Sequence, residues 1–439
     1  MIPGILQLNS KTKYGMSSRN VPSYLFRPLN TSLSMCVVGC STKDVSSNVL
    51  ALINVEHWET DKLTRGSLIR ILGKCGNKEA EEEAILYQYT TPNRKKFVIT
   101  EPSFDGYRPI SGYTFNVDPV GCIDIDDAIT IGDDGFTYIV IADVGCWMKE
   151  NPQLFAKATS GGQTFYNNGS VVLPLLPIQE ECSLLPGKKR RAIALKYSEN
   201  EVSFERVIIV NNESFTYENI YLSKYGSLLK EFASKIAGRD ITDSHEWIEQ
   251  IMIFYNCEVA KCLIQKGKGL LRVQNSPDID KLNQYSQLGV DIKFLANKSA
   301  LYCHASEPSK HWGLNKEYCH ATSPIRRFAD IVNQLALMDE CPNVNIPALN
   351  AISINAKKYE RDMFFLTTIL KSNRMVSGLT LSNRRIWVSE WKRIITCENT
   401  YAIGTHGVLF YSVNMNNPTW KKRLVFRFED IDCLEQQSS

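Results

Sequence analysis

The segment FNVDPVGCIDIDDAITI, residues 115–131, sets Asp118, Asp124, Asp126 and Asp127 within ten residues whose other members are mostly apolar. A buried or half-buried carboxylate costs roughly several kcal/mol unless a cation or hydrogen bonds compensate it. Any fold this chain adopts must therefore bring positive charge to these four acids, and a divalent metal is one way to do so. In an extended chain Asp124 and Asp126 face one way and Asp127 the other, while Pro119 keeps Asp118 out of helical geometry. Bringing them together requires a bend, expected at Gly121. Hard oxygen ligands without histidine or cysteine select magnesium, with manganese as the alternative, over zinc. A calcium loop is excluded, because Ala128 stands where a further ligand is needed. A solvated acidic turn fits poorly, since Ile123, Ile125, Ala128 and Ile129 interleave with the acids.

A second constellation is HATSPIRRFADIVNQ, residues 320–334. Ser323 is placed to cap a helix with Pro324 in its first turn. Free amides at that end, with Arg326 and Arg327 beside them, predict a phosphate site. Ile325, Phe328, Ile331 or Val332, and Leu335 form the expected buried stripe, which leaves Arg326 and Asp330 on a shared face. Taken alone, such an arginine pair is more often structural or solvated. Combined with the acids it supplies what phosphodiester hydrolysis requires, namely carboxylates for a cation and arginines for a phosphate.

The rest of the chain narrows the class. With 439 residues, 44% of them hydrophobic, there is material for one large core and smaller ones beside it. No apolar run reaches membrane-spanning length and the start MIPGILQLNSKTKYG has no signal character, so an intracellular, cytoplasmic protein without a membrane partner is expected. Thirteen cysteines without a C-x-x-C pair, and only six histidines, point away from a disulfide framework or a cysteine-type zinc site. A net charge of +3 does not by itself announce nucleic acid. The runs Lys188 to Arg191 and Lys421 to Arg423 read as solvated faces.

Short alternating runs such as Ala51 to Val55 and Ser67 to Leu72 predict a small β-barrel in the first ninety or so residues. A polar, proline-bearing connection covers residues 91–111. Two apolar runs between Phe115 and Val144, joined by Gly132-Asp-Asp-Gly135, predict a hairpin, and Val202 to Val210 another strand. Asp243 and Glu246 suggest a capping box for a helix bearing Ile248, Met252, Tyr255, Val259 and Leu263 up to Gly267. Helical periodicity returns from Ala348 to about Leu381, and short β runs from Ile386 to Asp432. The expected class is α+β, with domains at 1–95, 96–385 and 386–439.

The two motifs, in this order and about two hundred residues apart, resemble the catalytic RNB domain of the RNase II/RNase R exoribonuclease family. Ile141-Ala-Asp-Val144, Leu176-Pro177, Cys182-Ser-Leu184, Phe215-Thr-Tyr217, Met252 with Asn256, Arg272, and His311-Trp-Gly-Leu314 extend the likeness over most of the chain. Lys13-Tyr-Gly15, Tyr24 to Pro28 and Trp58 resemble the second of the family's cold-shock OB-folds, and residues 386–439 a reduced last OB-fold. The resemblance implies an RNB catalytic domain flanked by small β-barrels, acting as a 3′→5′ exoribonuclease on single-stranded RNA and releasing nucleoside 5′-monophosphates. It implies Asp118, Asp124 and Asp127 as metal ligands, Asp126 as the acid essential for cleavage and Arg326 at the scissile phosphate. Tyr217 would orient the terminal nucleotide, with Arg272 and Arg327 as RNA contacts. From the residues alone Tyr217 would be core.

Val140, Gln250 and Asn333-Gln334 depart from the family pattern, which bears on fine positioning more than on metal binding. Room for only one amino-terminal OB-fold implies a weaker grip on RNA, or a protein partner that supplies the missing surface to a monomeric chain. A catalytically silent RNB module that binds RNA or acts as a scaffold is the alternative. A nuclease of DNA is a third reading, which turns on ribose contacts that no motif reveals.

Overall fold

The computed structural model describes residues 1–17, 20–59, 62–92, 97–198, 202–292, 300–340, 342–370, 374–415, 417 and 420–430. The expected domain boundary between 95 and 96, and the last residues of the carboxyl-terminal segment, lie outside the described residues. The chain divides into two compact units, Met1–Asn93 with Pro277–Asn297 and Ile354–Ser439, and Arg94–Ser276 with Lys298–Ser353. No described helix is long and apolar enough to cross a membrane.

The first unit opens with β1 (Ile2–Leu6), β2 (Ser23–Pro28), β3 (Cys36–Gly39), β4 (Val49–Asn54) and β5 (Thr64–Lys74), closed into a barrel in the order β1-β2-β3-β5-β4. The expected amino-terminal barrel is thus present, filled by Leu6, Phe26, Val38 and Ile53. Helix α1 (Lys78–Tyr89) follows, its first amides capped by the Asn77 side chain, which accepts from the Ala80 amide at 2.9 Å.

The second unit is built on β6 (Arg108–Pro109), β7 (Gly112–Val117), β8 (Asp127–Gly132) and β9 (Thr137–Ala142), then α2 (Gly145–Glu150), α3 (Pro152–Gly161), β10 (Phe165–Asn167), β11 (Ser170–Leu173) and α4 (Gln179–Cys182). It continues with β12 (Lys189–Tyr197), β13 (Val202–Val210), β14 (Glu213–Phe215), α5 (Lys224–Ala237), α6 (Ser244–Lys266) and β15 (Leu270–Val273). The sheet order is β14-β7-β8-β9-β12-β13-β6, with β8 and β9 paired as the expected hairpin. Both faces are covered: Ala128, Val140 and Ala194 pack into one core, Ile129, Ile139, Ile141 and Ile193 into the other. That explains why these strands read as nearly unbroken apolar runs. Asp243 caps α6 by accepting from the His245 amide at 3.0 Å, but Glu246 turns to an ion pair with Arg239 and the reciprocal half of the capping box is not seen.

The chain then passes through α7 (Ile279–Gln287) in the first unit, β16 (Leu301–His304), which pairs with β15, α8 (Phe328–Leu337) and α9 (Ile346–Ile369). It finishes with β17 (Met375–Ser382), β18 (Arg385–Val388), β19 (Arg393–Thr396), β20 (His406–Val413), α10 (Trp420–Arg423) and β21 (Leu424–Asp430). These five strands run β19-β18-β17-β20-β21, the order of the amino-terminal barrel opened between its third and fifth strands. Tyr285, Leu288 and Val290, in and after α7, pack on Leu379, Leu381, Trp387 and Ile394 of this sheet. The long helix therefore ends well before Leu381, because Val376, Leu379 and Leu381 are buried from a strand that pairs with both β18 and β20. A domain boundary between 385 and 386 would cut the β17–β18 hairpin, so the carboxyl-terminal sheet starts at Met375.

Both basic runs hide a structural arginine. Arg191 is buried, with its guanidinium 3.9 Å from the centre of the Phe104 ring and its Nε donating to the Ser103 carbonyl at 2.9 Å. Arg423 is fully buried and pairs with Glu81 at 2.8 Å.

Candidate active site

The acid segment leaves the sheet where β7 ends. The Asp118 amide donates to the Phe215 carbonyl at 3.0 Å, and a turn closes with Cys122 N donating to Pro119 O at 3.1 Å. Gly121 carries the bend, at φ +80°, where a side chain would be strained. The chain is then pinned on the other side: Ile125 N donates to Ser183 Oγ at 2.9 Å, and Ala142 N to Asp126 O at 2.9 Å.

The four carboxylates diverge in what they touch. Asp118 Oδ2 accepts from Asn116 Nδ2 at 2.8 Å. Asp124 Oδ2 accepts from the Tyr166 hydroxyl at 2.7 Å. Asp126, only 4% exposed, accepts the Ile325 amide at 2.8 Å on Oδ1 and holds Arg326 Nε 3.4 Å from Oδ2. Asp118 and Asp127 are half-buried and line one cavity of about 530 Å³ together with Tyr217, His245, Arg326 and Arg327.

The arginine segment differs from expectation in its start. Helix α8 begins at Phe328, and Ser323 to Arg327 form a turn before it, with Arg327 N donating to Ser323 O at 3.0 Å. Asp330, fully buried, accepts the Ser323 amide at 2.7 Å and Arg327 Nη2 at 2.9 Å. It therefore pairs with Arg327 and not with Arg326, whose partner is Asp126. The free amide of this turn does meet an anion, and that anion is the Asp126 carboxylate. The expected stripe of Ile325, Phe328, Ile331 and Leu335 is buried.

The electrostatics follow from this packing. Burial pushes Asp126 up to about 7, against the pull of Arg326 and the Ile325 amide. Asp127 is held well above the ordinary carboxylate range by burial and by Asp118 and Asp126 beside it, and burial raises Asp118 as well. Tyr217 is pushed up to about 12, first by burial and then by Asp118 and Asp127. Such carboxylates lack positive charge, which is the condition a bound dication relieves.

Among the described residues no group of three or more His, Cys, Asp and Glu side chains is arranged so that it could hold a metal ion. Two carboxylates in one cavity have the hard-oxygen donor chemistry of a divalent-cation site that waters and substrate oxygens would complete. Asp118 and Asp127 have the donor chemistry and the shared cavity for this; Asp124, tied to Tyr166, does not line the cavity.

Arg272 also lies away from the lining: it is 7% exposed and stacks on the Tyr302 ring at 4.4 Å. Tyr217 is in the cavity, stacked on His245. Sequence reasoning missed His245 and met Glu249 only as the neighbour of Gln250; both line the cavity with Ile248, Met252 and Asn256. Their helical spacing on α6 was the available signal, interleaved with the apolar stripe. Gln250 is not in the lining, whereas its neighbour Glu249 is. Asn333 and Gln334 are buried staples: Gln334 Oε1 accepts the Val144 and Gly145 amides at 3.1 Å, and Asn333 Oδ1 accepts the Leu270 amide at 2.7 Å. Val140 is fully buried in the sheet.

A family model of the RNB domain matches residues 110–222 and 222–340, and one of the Dis3-like cold-shock domain 2 (CSD2) matches residues 23–90. The chain is 23% identical to a probable exosome complex exonuclease RRP44 of Caenorhabditis elegans, over 75% of this chain and 46% of that protein. It is 22% identical to ribonuclease R of Buchnera aphidicola, over 66% of this chain and 54% of that one. The chain thus spans about half the length of the curated relatives it matches. Its fold is similar to that of Mycoplasma genitalium RNase R in complex with ribose-methylated single-stranded RNA, with a TM-score of 0.76 and 17% identity over 98% of this chain and 90% of that one. It is also similar to yeast Ssd1, described as a pseudonuclease, with a TM-score of 0.67 and 16% identity over 93% of this chain and 67% of that one. The acid segment, the arginine turn that meets it and the barrel ahead of them thus have one common explanation: this chain belongs to the RNB-domain exoribonuclease family of RNase II and RNase R.

Proposed function

We propose that the chain is a divalent-metal-dependent 3′→5′ exoribonuclease that hydrolyses single-stranded RNA to nucleoside 5′-monophosphates. The observation that carries this reading is one cavity lined by two carboxylates with raised pKa, Asp118 and Asp127, and by Arg326 and Arg327. Such a cavity suits a phosphodiester approached by a cation on one side and guanidinium on the other. Magnesium or manganese, when bound, would be held by Asp118 and Asp127 and would supply a nucleophilic water and charge neutralisation at the phosphate; Asp124 would join them with the Tyr166 hydroxyl kept as its outer hydrogen-bond partner. Arg326 binds the scissile phosphate and offsets its developing charge. Asp126 fixes that arginine through the 3.4 Å ion pair and locks the turn through the Ile325 amide. The Tyr217 hydroxyl orients the terminal nucleotide.

Incubation of uniformly labelled single-stranded RNA with magnesium or manganese should release mononucleotides, and EDTA should stop it. DNA of the same sequence, run in parallel, tests the sugar preference. A second reading, a catalytically silent RNA-binding or scaffold module, has one observation in its favour: both oxygens of Asp126 are engaged within the protein, by the Ile325 amide and by Arg326. The similarity to a pseudonuclease is consistent with it. RNA that binds but is never shortened under any divalent metal would favour that reading.

A further inference from the structure

The ring of Tyr217 is half-buried and one of its faces is already stacked. Its body packs on the core beneath the sheet, and His245 lies across it with ring centroids 4.0 Å apart and planes within 14°. The stack is held in register, because Ser244 Oγ donates to the Tyr217 carbonyl at 2.7 Å and the Ser244 amide donates to the Tyr221 hydroxyl at 2.7 Å. Asp243 Oδ1 stands 3.4 Å from His245 Nδ1 at the first turn of α6, both side chains being exposed. The His245 side chain nevertheless remains 63% exposed and lines the same cavity as Asp118, Asp127 and Arg326. Tyr217, Tyr318, His311 and His320 also line this cavity but are half-buried, so the aromatic ring most open to it is the His245 imidazole, with a phenol behind it.

We propose that His245 is the platform on which the base of the 3′-terminal nucleotide stacks, with Tyr217 as its backing ring, so that purine ends are favoured over pyrimidine ends. The inference rests on the exoribonuclease reading above and adds to it the residue that carries the base. A flat ring accepts any base, since every base has a π-face, and preferences arise from stacking strength, which grows with ring area. The division of labour is then simple: Tyr217 presents its hydroxyl near the acids that raise its pKa, and His245 presents its face.

The test uses the full chain carrying Asp126→Asn, so that bound RNA is not consumed. Single-stranded RNA ending in 2-aminopurine should lose fluorescence on binding to this parent and to its His245→Phe derivative. His245→Ala should restore most of that fluorescence and bind the RNA about tenfold more weakly, the scale of one base stack. RNA ending in uridine should lose less, on the order of threefold. Because the helix cap uses the His245 backbone amide, the substitution leaves α6 capped. Equal quenching and equal affinity in all three proteins would overturn the inference while leaving the exoribonuclease reading intact. An unsubstituted chain that binds no RNA with divalent metal chelated would overturn both.

Discussion

Asp126 accepts the Ile325 amide at 2.8 Å and lies 3.4 Å from the Arg326 guanidinium, so a single buried carboxylate joins the acid segment to the arginine turn, about two hundred residues away. The two sequence motifs are therefore one structural object. What disturbs this carboxylate should disturb the position of Arg326 before it disturbs the fold.

Asp126→Asn keeps an oxygen to accept the Ile325 amide but gives up the charge that holds Arg326. Degradation of single-stranded RNA should be abolished, while binding, measured by filter retention or anisotropy, stays within about twofold of the parent. Arg326→Lys keeps a charge but not the planar fork, and a fall in kcat of about 10²–10³ is expected, the scale of losing one oriented donor at a developing charge. Normal turnover by either variant would remove the residue from its proposed role.

The same carboxylate sets a pH dependence. Its folded pKa of about 7 lies above the ordinary carboxylate value, so the native state holds a proton that the unfolded chain has released. Its contribution to stability is complete below about pH 4 and is lost as pH rises through about 7. Without divalent metal, Asp126→Asn should therefore match the parent's denaturation midpoint near pH 4 and exceed it at pH 8. Each pKa unit is worth about 1.4 kcal/mol, which puts the difference on the order of a few kcal/mol. A gap independent of pH would sink this account.

Cation binding can be separated from catalysis by thermal melting. Magnesium or manganese should raise the parent's Tm, more at pH 8 than at pH 6, because Asp118 and Asp127, both raised, must be ionised to ligate. Asp127→Asn should remove the rise. Asp124→Asn should reduce it less, since that carboxylate is absent from the lining of the cavity. Identical losses in the two variants would mean that Asp124 is a ligand of equal standing.

How much of this was legible depends on what each residue costs. Four acids among isoleucines are expensive unless compensated, so the sequence advertised the segment from Asp118 to Asp127, and the family resemblance implied Arg326 at the phosphate; its pairing with Asp126 was not legible, because helical spacing set Arg326 beside Asp330. The start of α8 was not legible, because Ser323 and Pro324 look like a cap and first turn, yet Asp330 reaches back for the Ser323 amide and moves the helix start to Phe328. Nor could periodicity separate the face of α6 that lines the cavity from the face that fills the core, as Ile248 and Met252 line the cavity beside His245 and Glu249. The basic runs misled for a related reason: charge in a string says nothing about which member turns inward, as Arg191 and Arg423 do.

Arg423 gives that last point a measurable form. It pairs with Glu81 at 2.8 Å with both side chains at 0% exposure, and its Nε donates to the Asn417 carbonyl at 2.6 Å. Removing one partner leaves an uncompensated buried charge, so Arg423→Ala should cost about 3–5 kcal/mol in chemical denaturation. Glu81 also accepts the Gly76 amide at 2.9 Å, which ties the pair to the turn ahead of α1. Replacing both charges together, as Glu81→Gln with Arg423→Met, removes the ionic penalty while an acceptor for that amide is kept. The double variant should therefore recover most of the loss. If it is no more stable than Arg423→Ala, the loss in the single variant comes from packing and from the Asn417 contact, not from stranded charge. RNA cleavage by the double variant should equal that of the parent, because neither residue lines the cavity of Asp118, Asp127 and Arg326.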